Sequence, residues 1–384
     1  MPVKSNSQAD DESSAMSNEP LAEGQHQPSA ISHQPSNKVR KRTVLAIASA
    51  GGHWVQLLRL RPAFEGTRIV YATTQEDYKS EVVSEEFYRI PDGTRWDKIK
   101  LLKSAWGIFR LILKIQPDTI ITTGAAPGYF AIRIGKLLRK KTVWIDSIAN
   151  AEELSLSGTK VGKHATLWLT QWKHLAHPEG PHFYGNVLGD QVAATVPSGK
   201  DQQLVTPEQK EGGSAISHQP LDQPLRIFVT VGSDVPFDRL LKAMDEWADS
   251  TKLKVEIFAQ VGNSDYSPQY FEYTKFLTPS EFKTRLSNCD YVVAHTGMGT
   301  ILSALRQQKP ILTLPRHGSL GETRNDHQIA TANHLLELGI IEVAFDETEL
   351  KQKLEKLSKN ASSSDIPQWA SNELTKKLNS FSLS

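Results

Sequence analysis

Cysteine is almost missing: Cys289 is the single one in 384 residues. No intramolecular disulfide can form, and a reducing compartment is the natural setting. Directly ahead of an apolar run, that thiol reads as buried and structural rather than as a nucleophile. Long apolar runs are missing too, since no window approaches the ~18 residues of a spanning helix. The opening MPVKSNSQADDESS has no apolar core, which argues against a secretory signal. The expectation is a cytoplasmic protein, or one lying on the inner face of a cell membrane. Charge of one sign is scarce, the formal net charge being +1, so nothing global calls for a nucleic-acid partner. Neither half has Gly-x-Gly-x-x-Gly after its first strand, which weakens a dehydrogenase reading; no Walker sequence and no Cys/His set at metal-ligand spacing occurs. No cofactor and no metal are expected.

What is plentiful divides the chain. Residues 1–40 are rich in Ser, Gln, Asn, Pro and acids, the composition of a disordered tail, and 191–224 reads as a flexible linker of the same kind. The heptapeptide SAISHQP occurs in both, at Ser29–Pro35 and Ser214–Pro220, and reads as a duplicated spacer. Two folded segments remain, 41–190 and 225–384. In the first, apolar β-rich runs at Thr43–Ala48, Ile69–Ala72, Thr119–Thr122 and Thr142–Ile145 alternate with helical patterns. In the second, strand runs at Leu225–Val231, Val255–Gln260, Tyr291–Ala294 and Ile311–Leu314 alternate with helices expected near 236–247, from about Met298 until Lys309-Pro310 ends it, and near 322–338 and 347–357. Such alternation predicts two α/β units, each a parallel sheet covered on both faces.

The chemistry concentrates after Tyr291. A strand runs into His295, Thr296, Gly297 and Gly299, and a helix opens at about Met298. A strand that feeds a glycine turn and a helix N-terminus presents unpaired backbone N–H groups, which suit an anion. The next strand ends in a loop dense in polar groups, among them Arg316, His317, Glu322, Arg324, Asn325, Asp326, His327 and Gln328. Open α/β sheets bind ligands at such strand ends. The first segment has matching turns, Ser49-Ala50-Gly51-Gly52-His53 and Gly124-Ala125-Ala126-Pro127-Gly128. Small residues there serve a tight βα turn or let a ligand approach the backbone.

Residues Trp96–Gln116 carry a wide apolar arc edged by Lys98, Lys100, Lys103, Arg110 and Lys114, against one acid, Asp97. Two readings stand: a helix on an anionic membrane surface, with Trp106, Phe109, Arg110 and Lys114 on its face, or a buried helix with a solvated lysine edge. Trp168 and Trp172 belong to the same interface or to the core.

The turn residues resemble a known family. Ser49–His53 with Gln56-Leu57-Leu58, Thr123–Gly128, Asp146-Ser147, Leu154–Gly158 and Gln171-Trp172 match one ordered set of motifs. Ile227–Ser233, Pro236–Leu240, His295–Thr300, Ala304-Leu305, Lys309-Pro310, Pro315-Arg316, Gly321-Glu322 and Asp326-His327-Gln328 match a second. Together they resemble bacterial exopolysaccharide glycosyltransferases of the family 28 type, as a fusion of an acceptor-side and a donor-binding polypeptide. The first half is similar to the membrane-side subunit, and the second to the UDP-sugar-binding subunit, of the eukaryotic transferase of dolichol-linked glycan assembly. The resemblance implies a GT-B fold, two facing Rossmann-like domains with a cleft between them. It implies metal-independent, inverting transfer of a hexose or hexuronic acid from a UDP-sugar to a polyprenyl-diphosphate-linked saccharide, at an anionic membrane surface and alongside other polysaccharide-assembly proteins.

The same resemblance implies roles for residues. Gly232 and Ser233 lie near the nucleotide; His295, Thr296, Gly297, Gly299 and Thr300 take the diphosphate; Asp326, His327 and Gln328 bind the donor sugar. Gly51, Gly52, Gly124, Ala125 and Gly128 form the acceptor side. His53, with an ordinary pKa near ~6.5, is a candidate general base; Asp146 is the rival, and a helix-start histidine that caps and packs is the bland alternative for His53. One position departs from the pattern: where an acidic residue is expected on the ribose hydroxyls, this chain has Ser303, which leaves Glu322 as a substitute acid. A non-catalytic nucleotide-sugar-binding assembly subunit and a UDP-sugar 2-epimerase are the competing functions.

Overall fold

The computed structural model describes residues 40–93, 97–190, 223–233, 235–323, 325–357 and 363–384. The proposed tail and linker, with both SAISHQP copies, fall outside the described residues except for Arg40, Gln223 and Pro224. Trp96 and Arg324 fall outside them as well. Lys41–Ser384 forms one compact unit.

Its first half runs β1 (Thr43–Ile47), α1 (Gly52–Leu58), β2 (Arg68–Thr73), β3 (Glu86–Arg89), α2 (Lys98–Ile115), β4 (Thr119–Thr122), α3 (Ala125–Leu137), β5 (Lys141–Ile145), α4 (Leu156–Val161) and β6 (Leu167–Leu169). The second half runs β7 (Leu225–Thr230), α5 (Asp238–Ser250), β8 (Val255–Gln260), β9 (Glu272–Thr274), α6 (Pro279–Asn288), β10 (Tyr291–His295), α7 (Met298–Arg306), β11 (Ile311–Leu314), α8 (His327–Glu337), β12 (Glu342–Val343), α9 (Glu347–Leu354) and α10 (Asn372–Leu383). The helix expected near 322–338 therefore opens only at His327, because the preceding residues are spent on the polar loop.

Both sheets are parallel throughout and six-stranded, ordered β3-β2-β1-β4-β5-β6 and β12-β11-β10-β7-β8-β9. Each reverses its winding once, between β1 and β4 and between β7 and β10. Ligands of open α/β sheets enter at that reversal, outside the carboxyl ends of the strands. The turns singled out in the sequence follow these four strands. Six short elements escaped the sequence reading (β3, α4, β6, β9, α6 and β12), being edge strands or short, weakly apolar helices. β1 is buried along its whole length, as a central parallel strand covered on both faces must be.

The last helix was read with the second segment but packs on the first. Leu374 and Leu378 are buried in one cluster with Leu57, Leu60 and Phe64. Asn379 Nδ2 donates to the carbonyls of Ala63 (3.1 Å) and Glu65 (2.9 Å). Arg59, 1% exposed, holds the returning chain through the Pro367 carbonyl at 2.5 Å and the Trp369 carbonyl at 3.4 Å, and also donates to the Val187 carbonyl. The same apolar cluster continues across both halves, taking in Trp54 of α1, Ile301 and Leu302 of α7 and Leu335 of α8.

Helix α2 is buried along one face and exposed along the other. Ser104, Ile108, Leu111, Ile112 and Ile115 are buried, while Ile99, Leu102 and Trp106 are 69%, 72% and 59% exposed. Phe109 is half-buried and its ring stacks on Trp106 at 5.5 Å, whereas Arg110 and Lys114 are exposed. The lone acid Asp97 is the N-cap, accepting from the amides of Ile99 and Lys100. Trp172 is core, and Trp168 packs against Gly162. Cys289 is buried, its Sγ donates to the Leu286 carbonyl at 3.2 Å, and burial pushes the thiol up to about 11. Among the described residues no helix is long and apolar enough to cross a membrane.

Candidate active site

The floor of the site is two glycine turns brought face to face. Gly51 takes φ +71, a left-handed conformation that favours glycine, and its N–H donates to Tyr78 Oη at 3.2 Å. Gly52 opens α1 beside α7 of the other half. A Cβ on Gly52 would lie 3.2 Å from Gly299 N, and one on Gly299 would lie 3.0 Å from Gly52 N. Only backbone without side chains brings the two helix starts this close.

His53 sits in that first turn. Its Nδ1 lies 2.8 Å from the Thr123 carbonyl, and Thr123 Oγ1 donates to the His53 carbonyl at 2.7 Å. Donation from Nδ1 leaves Nε2 with its lone pair, the tautomer a general base requires. The ring lies over Gly124, where φ is +122 and a Cβ would come within 2.8 Å of Cε1. Gly124 is thus small to admit His53. Gly128, expected on the acceptor side, has another reason: a Cβ there would collide with Thr122 Oγ1, so it serves helix–strand packing. Ala125 is left-handed at φ 61 without being glycine.

Asp146, the rival base, does not fit that role. It is 2% exposed, and its oxygens accept from the Ser147 amide (3.0 Å), Asn150 Nδ2 (3.0 Å) and the Ser155 amide (2.9 Å). Burial raises its pKa above the usual carboxylate range. The neighbouring motif residues form a buried network: Gln56 bonds Ser147 Oγ, the Ile148 amide and Gln171, which in turn bonds the Asp146 carbonyl and the Val187 amide. These residues shape the loop above β5, and the Asp146 carboxylate is buried and engaged within it.

On the opposite side the His295 ring is wedged between two glycines. A Cβ on Gly232 (φ +81) would lie 2.8 Å from its Cε1, and one on Gly297 would collide with its Nε2. Burial, with the Arg316 cation nearby, drops the His295 pKa to about 3, so it is neutral at pH 7. It packs the turn and does not bring positive charge to an anion. Partial positive charge is available instead at α7, whose first N–H groups lack intrahelical partners and whose N-cap, Gly297, offers no side-chain cap. Thr296 is 3% exposed, and its Oγ1 has no hydrogen-bond partner among the described residues. A buried hydroxyl left over at a helix start invites an acceptor. Thr300 is buried one turn on, and Ser303 Oγ donates back to the Gly299 carbonyl at 2.7 Å.

Glu322 cannot stand in for the missing acid. Arg239 grips it with Nε and Nη2 at 2.7 and 3.0 Å, and it also accepts from the His317 amide at 2.9 Å. Gln328 is buried and accepts from the Arg316 amide at 3.2 Å. Asp326 accepts from the Gly318 amide at 2.7 Å, and His327 Nδ1 meets Asn325 Oδ1 at 2.6 Å. Of this loop, Asp326 stays exposed and His327 half-exposed, as does the exposed Ser233 of the β7 loop. Sequence reasoning missed Thr123, Tyr78 and Arg239 as supports of the site. Arg239 and Glu322 lie 83 residues apart, and no local pattern announces that pairing. Among the described residues no group of three or more His, Cys, Asp or Glu is placed to hold a metal.

Two facing parallel sheets with ligand-type turns on both sides of a cleft invite comparison with known proteins. Residues 226–380 match the glycosyltransferase family 28 C-terminal domain. Over 343 residues the chain is 22% identical to the UDP-N-acetylglucosamine–N-acetylmuramyl-(pentapeptide) pyrophosphoryl-undecaprenol N-acetylglucosamine transferase of Geobacillus kaustophilus, covering 83% of this chain and 89% of that one. It is 27% identical over 166 residues to the UDP-N-acetylglucosamine transferase subunit ALG14 of Rattus norvegicus, covering 34% of this chain and 76% of that one. The glycosyltransferase SnogD from Streptomyces nogalater superposes with a TM-score of 0.50 at 18% identity, over 89% of this chain and all of that one. The UDP-GlcNAc 2-epimerase of Methanocaldococcus jannaschii superposes with a TM-score of 0.54 at 11% identity, over 88% and 99%. The fold is GT-B.

Proposed function

We propose that this protein is an inverting glycosyltransferase that moves a hexose, an N-acetylhexosamine or a hexuronic acid from a UDP-sugar to a polyprenyl-diphosphate-linked saccharide. The observation that carries the reading is the apposition of Gly52 and Gly299, which sets the candidate base, His53, beside the N-terminus of α7. The diphosphate of the donor accepts from the first-turn amides of α7 and from Thr296 Oγ1, and the helix dipole offsets the charge that grows on the leaving group. His53 Nε2 takes the proton of the attacking hydroxyl, while the Thr123 carbonyl holds the ring and favours the imidazolium that forms. The names of the relatives, one a pyrophosphoryl-undecaprenol transferase, support a lipid-linked acceptor. The exposed Ile99, Leu102 and Trp106 within the basic edge of α2 support docking of the first half on an anionic membrane, on the cytoplasmic side. Other polysaccharide-assembly proteins are the natural partners there.

The test is incubation with a panel of UDP-sugars, UDP-N-acetylglucosamine included, and undecaprenyl-diphosphate-linked saccharides. Release of UDP with extension of the lipid is expected, and His53→Ala should lower turnover by at least ~10²-fold while UDP binding survives. Binding without transfer to any acceptor would instead favour an assembly subunit. Conversion of free UDP-sugar without lipid would favour a 2-epimerase, a function whose fold this chain shares.

A further inference from the structure

Outside the groups that face the cleft, one buried assembly ties the loop after β7 to the loop after β11. Arg316 follows β11 and is 5% exposed. Its Nη2 donates to the carbonyls of Val231 (2.6 Å) and Val235 (2.5 Å), both in the loop after β7. In return Arg239, just beyond that loop, donates to the Pro315 carbonyl after β11 at 2.7 Å. The two guanidinium groups lie 5.0 and 5.2 Å from the centroid of one ring, Phe237, itself 1% exposed. The Arg316 amide also donates to Gln328 at the start of α8. In the sheet β10 stands between β7 and β11, so the reciprocal exchange spans the end of β10 beneath the His295–Gly299 turn. A planar fork can donate to two carbonyls while its face stacks on a ring; an ammonium cannot.

We propose that Arg316 is a positioning residue, which with Arg239 and Phe237 clamps the β7 and β11 loops in the register that donor binding requires. The effect on donor binding rests on the function proposed above; the clamp itself does not. Without Arg316 the Val231 and Val235 carbonyls lose that donor, and the glycine turn at 232 is held to the loop at 315–323 only through Arg239.

The experiment uses the full chain with Arg316→Lys and Arg316→Met, and Phe237→Leu as a milder variant should either arginine variant fail to fold. UDP affinity, amide hydrogen exchange of peptides spanning the two loops, and the His295 titration by NMR are measured. UDP affinity should fall at least ~10-fold in both arginine variants, with faster exchange in both loops at once. Phe237→Leu should shift both in the same direction by less. Because burial and then the Arg316 charge depress the His295 pKa, it should rise more in the Met variant than in the Lys variant, a difference that loss of burial, common to both, does not give. UDP affinity within twofold of the parent in both arginine variants, or unchanged exchange in the loops, overturns the proposal. If the parent binds no UDP, the donor reading fails and the exchange data alone decide the clamp.

Discussion

Gly299→Ala separates stability from closure. Gly299 lies in the first turn of α7, where alanine is intrinsically the better helix former by up to about 1 kcal/mol. Within the second half there is nothing for the new methyl to strike: the nearest atoms are Gly52 N at 3.0 Å, Gly52 Cα at 3.2 Å and Gly51 C at 3.5 Å, all backbone of the first half. Carbon-to-nitrogen contact at rest is roughly half an ångström longer, so the two halves must part by about that much. A displacement of ~1 Å at a reacting centre costs on the order of 10²-fold in rate, and half of it about 10-fold. The substitution should therefore leave the urea midpoint unchanged or raised, while UDP-sugar turnover falls about 10-fold and His53→Ala on top of it adds little beyond its own loss. A variant with turnover within twofold of the parent would refute the apposition as the basis of catalysis. A lowered urea midpoint would show that the contact stabilises the fold rather than assembling the site.

Three further outcomes are expected. Replacing Arg59 with Met removes the donor to the Val187, Pro367 and Trp369 carbonyls; even after relief from burying a cation, the cost in urea denaturation should be about 3 kcal/mol. His295 is held neutral by burial and by the nearby Arg316 and His327, against the opposing pull of the Thr230 main chain, its pKa depressed from 6.5 to about 3. Its contribution is full above about 6.5 and is lost as pH falls toward about 3, so between pH 7 and 4.5 the parent should lose more stability than His295→Asn, and equal losses would contradict this. Leu102→Ser with Trp106→Ser, both on the exposed arc of α2, should reduce co-sedimentation with anionic vesicles by about 10²-fold, and neutral vesicles should bind the parent poorly.

Much of the fold was legible because its signals are local. Parallel strands buried on both faces read as short apolar β-branched runs, and β4 and β8 begin and end where the pattern placed them. The glycine turns were legible for the same reason, and β3, β6, β9 and β12 were not, because two to four residues at a sheet edge carry too little periodicity. Roles within the site were less legible. By resemblance Asp146 was a rival base and Glu322 a substitute acid, yet the second is gripped by Arg239 and the first is buried under its own loop. Gly128 was open to a tight turn or a ligand approach, and it lies against Thr122, where a Cβ would collide.

By itself the sequence determined two α/β units, the placing of glycines after β1, β4, β7 and β10, and an amphipathic basic helix on the first unit, all of which follow from backbone propensity and hydrophobic period. Tertiary structure alone decided which glycines serve the ring of His53, which serve His295, and which let α1 meet α7. It decided, too, that the last helix returns to the first half and that two arginines share one phenylalanine. The reason is physical: steric fit and the pairing of buried charges depend on atoms far apart in the chain, and only folding sets their distances.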